Sequence, residues 1–197
     1  MFQEILFPLI WLPCYNQEAM EVQELKLKGV KLIRPQVFRD ERGYFFESHQ
    51  VERYLDQGID CSFVQDNHSY SKEGTIRGMH FQSEPGQAKL VRVASGKIYD
   101  VIVDIRLSSP TFGQWEGVYL DGENHHQLFV PVGFAHGFCV VSPEAHVLYK
   151  TSAPYNSETE KGFRFDDPEV GIEWPVKEPI VSERDKNSPK LRGQNLL

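Results

Sequence analysis

KLVRVASGKIYDVIVDIR, residues 89–106, is the stretch whose reading decides the fold. It divides at Ser95-Gly96 into two short runs of alternating apolar and polar residues rich in Val and Ile, the pattern of strands with one buried face. The same pattern continues in both directions. Upstream lie VKLIRPQVF (30–38), a polar turn RDERG (39–43), YFFESH (44–49), a short helix-like VERYLDQG (51–58), SFVQDNH (62–68) and TIRGMHFQ (75–82). Downstream follow WEGVYL (115–120), QLFVP (127–131), FAHGFCVVS (134–142) and HVLYKTS (146–152). At least eight short strands in about 125 residues, with Gly, Pro, Asp or Asn at most joints, is the spacing of an all-β sandwich, jelly roll or barrel.

Composition agrees. Thirteen Phe, eight Tyr and three Trp stand beside few helix-forming runs, and 197 residues suit one domain with a sizeable core. A formal net charge of -7 argues against a duplex-binding surface, so nucleic acid is not an expected partner. A few arginines can still focus a positive field on a small anionic ligand. Cys14, Cys61 and Cys139 form neither a disulfide framework nor a zinc cluster, which indicates a reducing, cytoplasmic setting. ILFPLIWLPC (5–14) is apolar but too short to span a bilayer, and the first basic residue is Lys26, so no membrane span or secretory signal is expected. It reads as a packing or oligomer-contact arm, and Met20 offers an alternative start. After Pro154 the alternation gives way to PYNSETEKGFRFDDPEVGIEWPVKEP, expected to run over the surface or to cover a mouth as a lid.

Two fragments carry chemistry. Gly74 precedes His80 by six positions, and PVGFAH supplies Pro131-x-Gly133-x-x-His136; together these resemble the two short motifs of the cupin superfamily. Where a metal-binding cupin has its second histidine this chain has Gln82, and Gly86 and Gln87 stand near the place of the acidic ligand. A stable site needs three or four ligands at set geometry, so no metal or other cofactor is expected and His80 reads as an acid-base group. Strand parity raises a difficulty: Gly78, His80 and Gln82 share one face and Arg77 the other, unless Gly78 permits a bulge.

RDERGYFFES (39–48), FVQDNHSYS (63–71), GTIRGMHFQ (74–82), FVPVGFAHGF (129–138), LYKTS (148–152) and GIEWP (171–175), in this order, resemble the dTDP-4-dehydrorhamnose 3,5-epimerases, metal-free members of the cupin superfamily. The resemblance implies an all-β, double-stranded β-helix jelly roll with short helices and a C-terminal loop and helical segment. It implies one domain over residues 23–197, leaving 1–22 as an N-terminal extension of unassigned role. It further implies a dTDP-4-keto-6-deoxyhexose substrate and inversion at C3 and C5, with a relative inverting one carbon, or a non-catalytic or metal-dependent cupin, as alternatives.

By position, His80 matches the base, Asp185 its carboxylate partner, Tyr149 the acid and Lys89 the cation near the keto oxygen. Arg42 and Arg77 match diphosphate-binding arginines; Phe46, Glu47, Gln65 and Asn67 surround the thymidine; Tyr155 stacks on the base; His136 and Glu160 complete the site. A homodimer exchanging N-terminal strands, with RDERGYF reaching the neighbour's site, is also implied. Taken alone, Asp185 reads as a surface turn residue, Tyr149 as a core aromatic, Lys89 as a solvated strand-edge lysine and His136 as a satisfied core histidine.

Overall fold

The structure, a computed structural model, describes residues 20–194, so the apolar stretch 5–14 and Cys14 lie outside it. Fourteen strands and two short helices are present among the described residues. One six-stranded antiparallel sheet contains β1 (Glu21–Glu24), β2 (Lys31–Arg34), β10 (Gln127–Val130), β7 (Lys89–Ser95), β12 (Glu144–Thr151) and β5 (Gln65–Lys72), in that spatial order. The facing sheet runs β13 (Glu160–Gly162), β6 (Thr75–Gln82), β11 (Phe134–Val140), β8 (Lys97–Asp104) and β9 (Trp115–Asp121), with β14 (Ile180–Val181) added parallel to β6. β3 (Phe38–Asp40) and β4 (Gly43–Phe45) form a separate hairpin. Residues 21 and 22, at the end of the expected extension, already belong to β1, where Glu21 pairs with Arg34 and Val22 with Ile33.

Alternation assigns the faces. On β8, Ile98 and Ile102 point between the sheets and meet Val91, Val93, Leu128, Val130 and Val147 of the opposite sheet. Val101, Val103 and Ile105 point the other way, into a second apolar layer with Met79, Phe81 and Ala135. Each fully buried side chain of this kind contributes about 1.5–3 kcal/mol. Gly96, at the β7–β8 joint read from sequence, has φ +83°, and a Cβ there would lie 2.1 Å from the Glu144 carbonyl oxygen.

The segment after Pro154 runs over the barrel surface as expected, but it also carries buried apolar anchors. Phe163, Val170 and Leu191 are buried against the outer face of the second sheet, with Ile172 and Trp174 packed beside them. Its loops therefore supply three of the nine buried residues of this core layer; spaced single apolar residues conceal this in the sequence, because no period links them. The helix-like VERYLDQG forms α1 (Val51–Asp56), which buries Tyr54 against the outer face of the first sheet with Ile33, Leu90 and Phe129. No helix among the described residues is long and apolar enough to cross a membrane.

Candidate active site

Inward positions along β7 and β12 change character toward one end of the barrel. Val93 and Val147 belong to the core, whereas Lys89 and Thr151, paired in register, line an open cleft together with Tyr149. The cleft holds about 740 Å³, room for a ligand of nucleotide-sugar size. It lies between the sheets: Gln65, Asn67, Lys89 and Tyr149 come from one, Arg77, His80, His136 and Glu160 from the other, and Tyr155 and Asp185 from the C-terminal segment.

The parity conflict at Arg77 is resolved by a bulge. His80 pairs with His136 and Arg77 with Phe138, so three steps on β6 oppose two on β11. Gly78 carries the irregularity with φ +133°, and a Cβ there would lie 2.6 Å from the Gly137 Cα. Arg77 and His80 consequently both line the cleft. Ser71 Oγ accepts a hydrogen bond from Arg77 Nε at 2.9 Å, and the Tyr70 carbonyl accepts one from Nη2 at 3.2 Å.

Asp185 reaches His80 across more than a hundred residues because β14 lies alongside β6, with Ile180 beside Thr75 and Val181 beside Ile76. Ser182 then caps α2 (Glu183–Lys186), its Oγ accepting from the Asp185 N–H at 3.1 Å. Asp185 is only 4% exposed, with Oδ1 2.7 Å from His80 Nε2 and Oδ2 accepting the Gly78 N–H at 3.3 Å. Burial works to raise its pKa, but the hydrogen bond and charge of His80, with help from Gly78 and Ser182, leave it below the usual carboxylate value. The carboxylate is thus ionised at neutral pH and can only accept, so Nε2 carries the proton and Nδ1 is the free basic nitrogen.

Lys89 is likewise buried, and loss of solvation pushes its pKa down to about 8 despite the opposing negative charges of Glu160 and Asp100. Burial raises the pKa of Tyr149; Arg77 opposes this and Glu160 adds to it. His136 Nε2 contacts both oxygens of Asp100, at 2.8 and 3.0 Å, making a second histidine–carboxylate pair. Gln82 is buried and lies outside the cleft lining, and among the described residues no group of three or more His, Cys, Asp or Glu is arranged to hold a metal ion.

Arg42, Phe46 and Glu47 are not brought to this cleft. Arg42, its side chain 85% exposed, bonds to Asp40 within the β3–β4 hairpin, Phe46 stacks on His125 at 4.7 Å, and Glu47 pairs with Arg53 at 3.1 Å. Conversely, Arg184 and Asp100 were not anticipated. Arg184 lines the cleft and pairs with Glu160 at 2.7 Å, and nothing in its local sequence distinguishes it. Asp100 had a signal: it shares the inward phase of Ile98 and Ile102, and an aspartate at an apolar phase requires a buried partner.

A two-sheet jelly roll enclosing one cleft lined by a histidine–carboxylate pair, a desolvated lysine and a tyrosine is a cupin-type architecture with the groups of an acid-base enzyme. A sequence model described as dTDP-4-dehydrorhamnose 3,5-epimerase matches residues 24–193. The dTDP-4-dehydrorhamnose 3,5-epimerase of Shigella flexneri is 49% identical over 174 residues, covering 87% of this chain and 96% of that protein. Among solved structures, the dTDP-6-deoxy-D-glucose-3,5-epimerase of Legionella pneumophila, in complex with dTDP-4-keto-L-rhamnose, superposes with a TM-score of 0.85 at 46% identity, covering 88% of this chain and 93% of that one. The dTDP-4-dehydrorhamnose 3,5-epimerase of Bacillus anthracis, with TDP and pyrophosphate bound, gives a TM-score of 0.85 at 48% identity, covering 87% and 99%. The chain belongs to the dTDP-4-dehydrorhamnose 3,5-epimerase family and is an isomerase of the epimerase class.

Proposed function

We propose that this protein inverts C3 and C5 of dTDP-4-dehydro-6-deoxy-D-glucose, giving dTDP-4-dehydro-L-rhamnose for dTDP-rhamnose biosynthesis in the cytoplasm. The observation that carries the reading is the placement of His80 and Tyr149 on opposing sheets of one cleft, with Asp185 bound to the histidine. Each inversion removes a proton alpha to the C4 ketone and returns one to the other face, which requires a base and an acid on opposite sides. His80 Nδ1 takes the proton, and Asp185 holds the ring and stabilises the imidazolium. Lys89 supplies a desolvated positive charge for the enolate oxygen. Tyr149, its pKa raised by burial, stays protonated and delivers a proton from the far face.

Arg77 and Arg184 bring positive charge to the cleft for the diphosphate, Gln65 and Asn67 face the thymidine, Tyr155 stacks on the base, and His136 and Glu160 complete the sugar pocket. Arg42, Phe46 and Glu47 serve the cleft of a second copy in a strand-exchanging homodimer, a reading supported by their place outside the lining of their own chain's cleft and by the exposure of Arg42.

The test is incubation with dTDP-4-keto-6-deoxyglucose in deuterated water, followed by NMR. Deuterium at both carbons is expected; deuterium at one defines a single-carbon epimerase, and none sinks both readings. His80→Ala abolishes exchange at both carbons, whereas Tyr149→Phe slows epimerisation and keeps part of the exchange. Normal exchange in His80→Ala refutes the assignment of the base.

A further inference from the structure

Residues 152–159 join β12 to β13; within them 153–156 run at the cleft mouth without regular secondary structure, and Tyr155 is the exposed aromatic they carry. Glutamine amides hold their backbone groups. Gln87 Nε2 donates to the Ala153 carbonyl at 2.9 Å, and Gln82 Nε2 to the Pro154 carbonyl at 3.4 Å. Gln65 Oε1 accepts the Tyr155 N–H at 2.9 Å, and Gln82 Oε1 accepts the Asn156 N–H at 3.3 Å.

These glutamines come from three places: Gln65 opens β5 in one sheet, Gln82 closes β6 in the other, and Gln87 precedes β7. The loop is therefore stitched to both walls of the cleft. Gln82 is the informative member. It is buried, it does not line the cleft, and both ends of its amide are spent on the residues flanking Tyr155. A buried amide is retained where its hydrogen bonds are made, and here every bond found goes to this loop.

We infer that Gln82 is a positioning residue: it fixes loop 153–156 so that the Tyr155 ring is presented at the mouth of the cleft, and so sets nucleotide affinity without touching the reacting carbons. The position that would bear a metal-binding histidine in other cupins serves loop placement in this chain. The inference rests on the reading of the cleft as a nucleotide-sugar site.

The experiment is a double-mutant cycle on the full chain, titrating dTDP calorimetrically into wild type, Gln82→Ala, Tyr155→Ala and the double variant. Gln82→Ala is expected to weaken dTDP about tenfold, equivalent to ~1.4 kcal/mol, and to add nothing once Tyr155 is gone. In steady-state turnover the loss falls on KM and spares kcat. Gln87→Ala, which frees the Ala153 carbonyl from the same loop, repeats the cycle at a position outside the buried strand. Additive losses in both cycles, with Tyr155→Ala itself impaired, overturn the inference and leave the nucleotide reading intact. Wild-type affinity in Tyr155→Ala removes the nucleotide reading of the mouth and the inference with it.

Discussion

Replacing Lys89 with methionine separates what its charge does for the fold from what it does for the reaction. The ammonium is buried, and its pKa falls from the ordinary 10.5 to about 8 because burial outweighs the attraction of Glu160 and Asp100. At 1.36 kcal/mol per pKa unit, that drop corresponds to about 3 kcal/mol of cost for carrying the charge in the folded state. The sign follows from proton counts. Between about pH 8 and pH 10.5 the unfolded chain binds more protons at this lysine than the folded chain, so stability rises with pH there and is lost as pH falls through 8.

Lys89→Met, with a neutral side chain of similar length, is therefore expected to be more stable than wild type at pH 7 by up to ~3 kcal/mol, with the advantage shrinking from about pH 8 upward and mostly gone by about pH 10. The same variant loses about 10²–10³ in kcat/KM, the usual loss when a preorganised group facing a developing oxyanion is removed. Urea unfolding at pH 7 and pH 10, set beside deuterium exchange at C3 and C5, measures both. A Met variant less stable at pH 7, with an unaltered pH dependence between 8 and 10, refutes the desolvated-cation reasoning.

Asp185→Asn keeps the shape of the pair but can donate to His80 Nε2, which favours the tautomer protonated at Nδ1; exchange at both carbons should fall by about 10²–10⁴ in the NMR assay. Gly78→Ala places a Cβ 2.6 Å from the Gly137 Cα at φ +133° and should unfold at clearly lower denaturant, by about 2–4 kcal/mol, with weaker dTDP binding as Arg77 shifts. Asp104 has its pKa lowered to about 2: burial opposes this, but Arg106, Ser109 and Thr111 all bond to its carboxylate. It contributes about 2 kcal/mol that is present above pH 3.8 and lost as pH falls through 2, so Asp104→Asn should flatten that part of the acid-unfolding curve.

Strand alternation made the barrel legible. KIYDVIVDIR became β8 with both phases buried, and the Gly96 joint lies where the two runs meet. His80 was legible as an acid-base candidate because Gln82 interrupts the metal motif. The bland readings of Lys89 and Asp185 failed for a common reason: both are charged residues in polar contexts whose burial comes from segments far away in the chain. β14 and α2 carry Asp185 to His80, and no local pattern encodes that approach.

By itself, then, the sequence determined the strand-rich class, the inward and outward phases of the alternating strands and His80 as an acid-base candidate, because periodicity and side-chain chemistry are local properties. Only the tertiary structure decided that Arg77 turns into the cleft at the Gly78 bulge, that Asp185 meets His80, and that Gln82 holds the loop bearing Tyr155. Those outcomes depend on contacts between residues roughly sixty to a hundred positions apart, where register and burial decide.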